Sequence, residues 1–402
     1  MEGTVLMPAE KIAITEACGR IISEDICSTI FHPPSDNSAM DGFAVRWDDV
    51  HSASKDNPVE LKVLEDVHAG DITGVSLEKG EATSIMTGAP IPEGADTIIR
   101  IEDTNRSRGK TIVIYAAGKK GKDIRLKGEN IKVGDKVYEA GQFIGPAEVG
   151  MLALMGKPFV SVYRKPTVAI LVTGDEIRDL DEPFDENKIT NSNGYALAAQ
   201  VEEAGGVPVR LAIARDSKGD LRTKLSEALK SDIVVSSGGV SMGYHDYVKE
   251  VLQDLGVEIK FWRVDMRPGH PVAFGRKAEK PVFGLPGNPV STMVSFEQFA
   301  RPLIRAMAGH TSPYRPVVEA IVTEDVSSKP GRKHFLRGIL SYEDGHYNVC
   351  SAGAQGSGIL LSMSRSNCLI VIPDEGGQFK AGAKVKVQLL GPEKAGRKAH
   401  GY

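Results

Sequence analysis

Five short stretches of this chain carry residue types suited to anion and metal chemistry. Thr173-Gly174-Asp175-Glu176 and Arg215-Asp216 supply carboxylates. Ser236-Ser237-Gly238-Gly239-Val240-Ser241-Met242-Gly243 is a glycine-rich loop. Arg263 and Arg267, with Pro268-Gly269-His270, supply cations, and Gly284-Leu285-Pro286-Gly287-Asn288-Pro289 is a turn stiffened by two prolines. Glycines let backbone N–H groups approach an anion, so the loop from Ser236 to Gly243 reads as a phosphate cradle with Gly238 and Gly239 at its centre. Guanidinium forks match phosphate oxygens, which makes Arg263 and Arg267 candidate clamps. Asp175, Glu176, Asp216 and Asp246 are hard oxygen ligands of the kind Mg²⁺ accepts while it keeps waters and bridges a substrate phosphate. Taken singly, each has a plainer reading: a helix cap, a turn, or a solvated charge.

The elements around these stretches give them a common place. Thr167 to Thr173 is a near-continuous apolar strand of the type buried on both faces of a parallel sheet. The pattern then predicts a helix over 192–204, a strand over 207–214, a helix over 221–229 and a strand over 233–236. A helix over 245–255, strands over 257–264, 272–274 and 282–284, and a helix over 290–307 complete the run. Such alternation implies a parallel α/β sheet with right-handed crossovers. Ligands bind beyond the carboxyl ends of its strands, where all five stretches fall.

Outside this span, Pro8 to Arg20 reads as an amphipathic helix ended by Gly19. Residues 59–138 show short alternating segments punctuated by glycine, a small all-β unit. Pro146 to Leu154 reads as a helix leading out of it, so the segments flanking the β unit are expected to pack together. After Pro316 the pattern is again short strands, a compact sandwich or barrel. Two further polar stretches, Asp36-Asn37-Ser38-Ala39-Met40-Asp41-Gly42 and Met86-Thr87-Gly88-Ala89-Pro90, lie in or beside the first β unit.

At 402 residues the chain is long enough for two to four domains. Lys+Arg 49 against Asp+Glu 53 leaves a net charge of −4, without the basic excess of a nucleic-acid binder. Apolar runs are too short to span a membrane. The four cysteines contain no CxxC pair, which points to a reducing, cytoplasmic setting. Zinc, serine-hydrolase and Walker-type signatures are missing.

Together the five ordered motifs at Asp36–Gly42, Met86–Pro90, Thr173–Glu176, Ser236–Ser241 and Gly284–Pro289 resemble the MoeA family of molybdopterin molybdenumtransferases, related to the E domain of gephyrin. The resemblance spans nearly the whole chain. It implies a multidomain α/β plus β protein, with a parallel α/β (MogA-like) domain and flanking β-rich domains in an elongated subunit. Residues 1–46 with 139–163 would form a discontinuous linking and dimerisation domain, and 47–138 a β-rich domain. Residues 164–310 would be the molybdopterin-binding α/β domain, and 311–402 a barrel-like domain. The implied reaction inserts molybdate, or tungstate, into adenylylated molybdopterin with release of AMP, assisted by Mg²⁺. The implied state is a homodimer whose site is completed by the β domain of the other subunit, in contact with other cofactor-biosynthesis proteins. Carried over by motif, the catalytic positions are Asp41, Thr87, Glu176, Asp216 and Asp246, of which the last three would hold the metal. Ser236, Gly238, Gly239, Ser241, Arg263, Arg267, Pro286 and Pro289 would bind substrate. Arg267 and His270 stand where many members carry Lys, and Asn130 where many carry Asp. The alternatives are a gephyrin-like scaffold without catalysis and an enzyme that adenylylates molybdopterin.

Overall fold

Strand Thr167–Val172 is buried at all five positions from Val168 onward. Alternation along it sends Val168 and Ile170 to one face and Ala169 and Leu171 to the other. The first pair joins Leu197 and Val201 of helix Ser192–Glu203 and Phe296, Ala300 and Ile304 from the helical run after Pro289. The second joins Leu221 and Leu225 of helix Lys218–Ala228 and Val248, Val251 and Leu252 of helix Tyr247–Asp254. One strand thus nucleates two cores, with helices covering both faces of the sheet. The computed structural model that shows this describes residues 4–71, 74–106, 109–239 and 247–391.

The sheet runs in the order Val207–Arg210, Thr167–Val172, Ile233–Ser237, Lys280–Leu285, Ala273–Lys277, Glu258–Phe261. The first four strands are parallel, with Val172 opposite Ser237 and Ser237 opposite Leu285. Ala273–Lys277 is antiparallel to both neighbours, so the sheet is mixed where the sequence pattern implied a parallel one. The reason is local: only Ala278 and Glu279 separate it from Lys280–Leu285, which suffices for a hairpin but not for a crossover. Ala278 takes the positive φ of +50° that such a tight turn demands. Glu258–Phe261, antiparallel to the reversed strand, again points the same way as the first four.

The chain folds as two compact units, Met1–Glu24 with Gly141–Val149 and Phe159–Tyr402, and Asp25–Ala140 with Gly150–Pro158. In the first unit, residues 8–20 correct the expected helix. They form strand Ala9–Ala13 and the 3₁₀ turn Ile14–Glu16. Ala9–Ala13 pairs antiparallel with Phe159–Tyr163, and that ladder satisfies the backbone groups a helix would have had to pair internally. The two segments flanking the insertion therefore do meet. The same unit ends in a closed barrel of five strands, Val317–Val322, Lys333–Glu343, His346–Ser351, Cys368–Ile372 and Lys384–Leu389. Closure comes from Lys333–Glu343, which pairs on one side with His346–Ser351 and on the other with Cys368–Ile372.

The second unit holds a five-stranded sheet in the order Thr97–Arg100, Gly42–Val45, Glu81–Ile85, Val59–Val67, Thr111–Ile114. Gly42–Val45 is interior to it, although the sequence reading assigns it to the preceding segment. A side chain at position 42 would place its Cβ 2.0 Å from the Ile99 carbonyl oxygen, so only glycine fits. Among the described residues no helix is long and apolar enough to cross a membrane.

Candidate functional site

Beyond the carboxyl ends of the parallel strands lies a cavity of about 570 Å³. Thr173, Gly174 and Glu176 line it after the first strand, and Asp216 after the second. Ser237, Gly238 and Gly239 come from the end of Ile233–Ser237, and Pro286 to Pro289 follow Lys280–Leu285. Residues more than a hundred positions apart are brought to one rim. The loops carrying the carboxylates hold each other: Asp216 N–H donates to Asp175 Oδ1 at 3.2 Å, and Asp175 N–H to Asp216 Oδ2 at 3.4 Å. Each of these two carboxylates thus accepts from the other loop's backbone through one oxygen, and Asp216, like Glu176, also lines the cavity.

The glycine turn is tight because of what lies beneath it. Gly238 has φ +95°, and a Cβ there would sit 2.7 Å from the Thr173 carbonyl oxygen. Gly239 has φ +66°, and a Cβ there would sit 2.4 Å from Val248 Cγ2. Both positions therefore require glycine. The preceding serines divide by the two-residue period of the strand. Ser236 and Ser237 are both almost wholly buried; the Ser236 hydroxyl donates to the Phe283 carbonyl at 3.3 Å, which turns it away from the cavity, and it is Ser237, not the expected Ser236, that lines the cavity wall. Ser241 and Asp246 lie outside the described residues.

Arg267 is not among the residues lining this cavity. It lines a second one, of about 650 Å³, with His270, Arg332, His334 and Arg337, and with Glu324 and Asp325 at the same wall. Pro271 lines both cavities. Arg337 is only 1% exposed. Its Nε donates to Ser362 Oγ at 3.2 Å and its Nη2 to the Gly356 carbonyl at 3.1 Å. Among the described residues no carboxylate forms an ion pair with it, and burial pulls its pKa down to about 10. A buried cation without a counter-charge, lining a cavity, favours an anion there. His334 is also held below its ordinary value, by burial first and then by Arg267 and Arg332. Arg263 stands exposed past the end of Glu258–Phe261 and lines neither cavity.

In the β-rich unit Asp41 and Thr87 meet each other. The Thr87 N–H and hydroxyl both reach Asp41 Oδ1, at 2.7 and 2.8 Å. These two donors, the backbone one first, hold the carboxyl below the usual carboxylate range. Among the described residues no three His, Cys, Asp or Glu side chains cluster as a ready metal cage. Sequence reasoning takes Ser237 only as part of the glycine loop, and assigns no role to Asn193 or Arg337. The first two carry only the faint signal of polar residues at the end of an apolar strand and the start of a helix, and Arg337 carries none.

Three family models match the chain in order. They are the MoeA N-terminal region (domain I and II) over residues 2–156, the "Probable molybdopterin binding domain" over 169–306, and the MoeA C-terminal region (domain IV) over 319–390. A molybdopterin molybdenumtransferase of Nostoc sp. is 38% identical over 370 residues, which is 90% of this chain and 85% of that protein. Molybdopterin molybdenumtransferase 2 of Mycobacterium tuberculosis is 37% identical over 384 residues, 94% of each chain. The crystal structure of the molybdopterin biosynthesis MoeA protein from Pyrococcus horikoshii superposes with a TM-score of 0.82 at 32% identity, covering 96% of both chains. With its fold, motif order and relatives in agreement over nearly its full length, the chain belongs to the MoeA family of molybdopterin molybdenumtransferases.

Proposed function

We propose that this chain is a transferase of molybdenum cofactor biosynthesis that inserts molybdate into adenylylated molybdopterin and releases AMP. The observation that supports this most is the first cavity, where two carboxylates and a glycine turn face one space at the strand ends. The Gly238–Gly239 turn would cradle the phosphates of the nucleotide, and the Pro286 to Pro289 turn would wall them in. Arg337, buried and without a carboxylate partner among the described residues, would take the tetrahedral oxyanion in the second cavity, with Arg267 and Arg332 raising the local positive potential. Pro271, common to both linings, supports the reading that the two ligands would bind in neighbouring cavities.

Mg²⁺ fits the residues present. It binds through one or two carboxylates and completes its shell with water and phosphate oxygens, so Glu176 and Asp216, which line the same cavity, would be the residues to hold it. Bound there it would neutralise charge on the phosphoanhydride oxygens. Asp246 remains a candidate further ligand. The same reading makes the protein a cytoplasmic homodimer that receives its pterin from another cofactor-biosynthesis protein.

The reading is tested by AMP release from adenylylated molybdopterin on addition of molybdate, with and without Mg²⁺. Wild-type protein should release AMP, and Glu176→Ala and Asp216→Ala should lose the Mg²⁺ stimulation. Unchanged rates in both variants would rule out the carboxylate assignment, and no release by the wild type would favour a scaffold.

A further inference from the structure

Asn193 ties the walls of the first cavity together. It lies in the first turn of helix Ser192–Glu203 but does not cap it, because Asn191 performs that task by accepting the Gly194 N–H at 2.9 Å. Asn193 is 8% exposed, and its Nδ2 donates to the Gly287 carbonyl at 2.8 Å and to Ser237 Oγ at 2.9 Å. An amide nitrogen has two protons, so both are used. From the far side, Ser237 Oγ donates to the Pro286 carbonyl at 3.1 Å and Thr292 Oγ1 to the same carbonyl at 2.5 Å. Ser237 and Thr292 are almost wholly buried.

Two successive carbonyls of the Pro286 to Pro289 turn are thus held by side chains from two other chain segments, Asn193 and Ser237, and by Thr292 of the helix that the turn itself begins. A trans peptide sets its N–H antiparallel to its C=O, so pinning these carbonyls also fixes the directions of the Gly287 and Asn288 N–H groups. The turn lies against the glycine cradle. Gly238 N–H donates to the Leu285 carbonyl at 3.1 Å, and a Cβ on Gly287 would come within 3.8 Å of Gly238 Cα. The spacing of the two turns is therefore set by this buried amide together with the Ser237 hydroxyl and the Gly238 N–H, and the amide reaches both turns at once. Only an amide suits the position: aspartate has the same shape but no proton to give the Gly287 carbonyl.

Building on the insertase reading above, we propose that Asn193 is a positioning residue. It holds the proline turn in register with the Gly238–Gly239 turn and so sets the width of the slot that receives the nucleotide phosphates. It acts through Ser237 and Gly287 rather than on the reacting atoms.

The test is isothermal titration of the full chain with AMP and with pyrophosphate, alongside the KM for adenylylated molybdopterin. Asn193→Asp should weaken both probes about tenfold or more and raise KM, since sub-ångström displacement of a binding wall is costly. Thr292→Val, which removes the hydroxyl at nearly constant volume, should weaken them in the same sense, and Thr292→Ser should restore wild-type affinity. A merely structural amide would lower the melting temperature and leave the affinity of the folded protein unchanged. Wild-type affinity in Asn193→Asp, or equal weakening in Thr292→Ser and Thr292→Val, would overturn the proposal while leaving the insertase reading in place. A wild-type protein that binds neither probe would overturn both. Should Asn193→Asp fail to fold, the Thr292 pair decides alone.

Discussion

Thr87 binds a single oxygen of Asp41 twice, with its N–H at 2.7 Å and its hydroxyl at 2.8 Å. Both donors favour the ionised form, so the Asp41 carboxyl stays below its ordinary range. Thr87→Val keeps the N–H and removes the hydroxyl. A carbon-13 titration of Asp41 should then show a higher midpoint, with Thr87→Ser close to wild type. The sign of the linkage follows: this interaction is fully present above the unfolded value near ~3.9 and fades as pH falls through the lower folded one. An unmoved midpoint in Thr87→Val would show that the hydroxyl contributes nothing.

The glycine turn at the first cavity has no room for a side chain. Gly238→Ala would set a methyl 2.7 Å from a backbone oxygen, in a conformation with φ +95°. Backbone strain of this kind costs about 1–3 kcal/mol. Urea unfolding should show a loss of that order, and AMP titration a weaker complex. Gly219, exposed in helix Lys218–Ala228 with no atom within 4 Å of where a Cβ would stand, is the contrasting site. There Gly219→Ala should leave AMP binding unchanged and stability equal or slightly higher.

Acid should destabilise the protein partly through His310. Burial first, then Arg305 and Arg301, push its pKa down to about 4. Arg305 Nη2 donates to its Nδ1 at 3.0 Å, so the folded state holds the ring neutral. The unfolded chain takes up the proton below about 6.5, so stability is retained above that pH and lost as pH falls toward 4. The difference is on the order of 3 kcal/mol. His310→Gln should flatten the dependence of the urea midpoint on pH between 7 and 4.5. A slope equal to wild type would remove His310 from the account.

Arg337 offers a test confined to the second cavity. Arg337→Met exchanges a buried guanidinium that lacks a carboxylate partner for an apolar chain of similar length, a change that buried charges often tolerate in stability. Molybdate titration should weaken about tenfold or more, while AMP binding at the first cavity should remain as in wild type. Equal molybdate affinity would place the oxyanion elsewhere.

Much of the α/β domain is legible in the sequence because its signals are local. The apolar run from Val168 to Val172, the glycine pair at 238–239 and the prolines at 286 and 289 each follow from composition and spacing. What escapes is whatever depends on a distant partner. Ala9–Ala13 is a strand only because Phe159–Tyr163 lies alongside it. Ser236 and Ser237 are indistinguishable until register decides which faces the cavity. Arg267 points to the second cavity because its short strand pairs with Lys333 and His334, far along the chain. Asn193 looks like any polar residue at a helix start until two other segments converge on it.

Because the single strand Thr167–Val172 supplies alternate side chains to both helical layers, the domain has no half that can be altered in isolation. Shortening Val168 or Ile170 would leave a void against one helical layer, and shortening Leu171 a void against the other, so each central residue answers to a layer of its own. Variation is thereby steered outward, to the turns. New ligand preferences in this scaffold will be written at the loops, above a foundation that tolerates almost no editing.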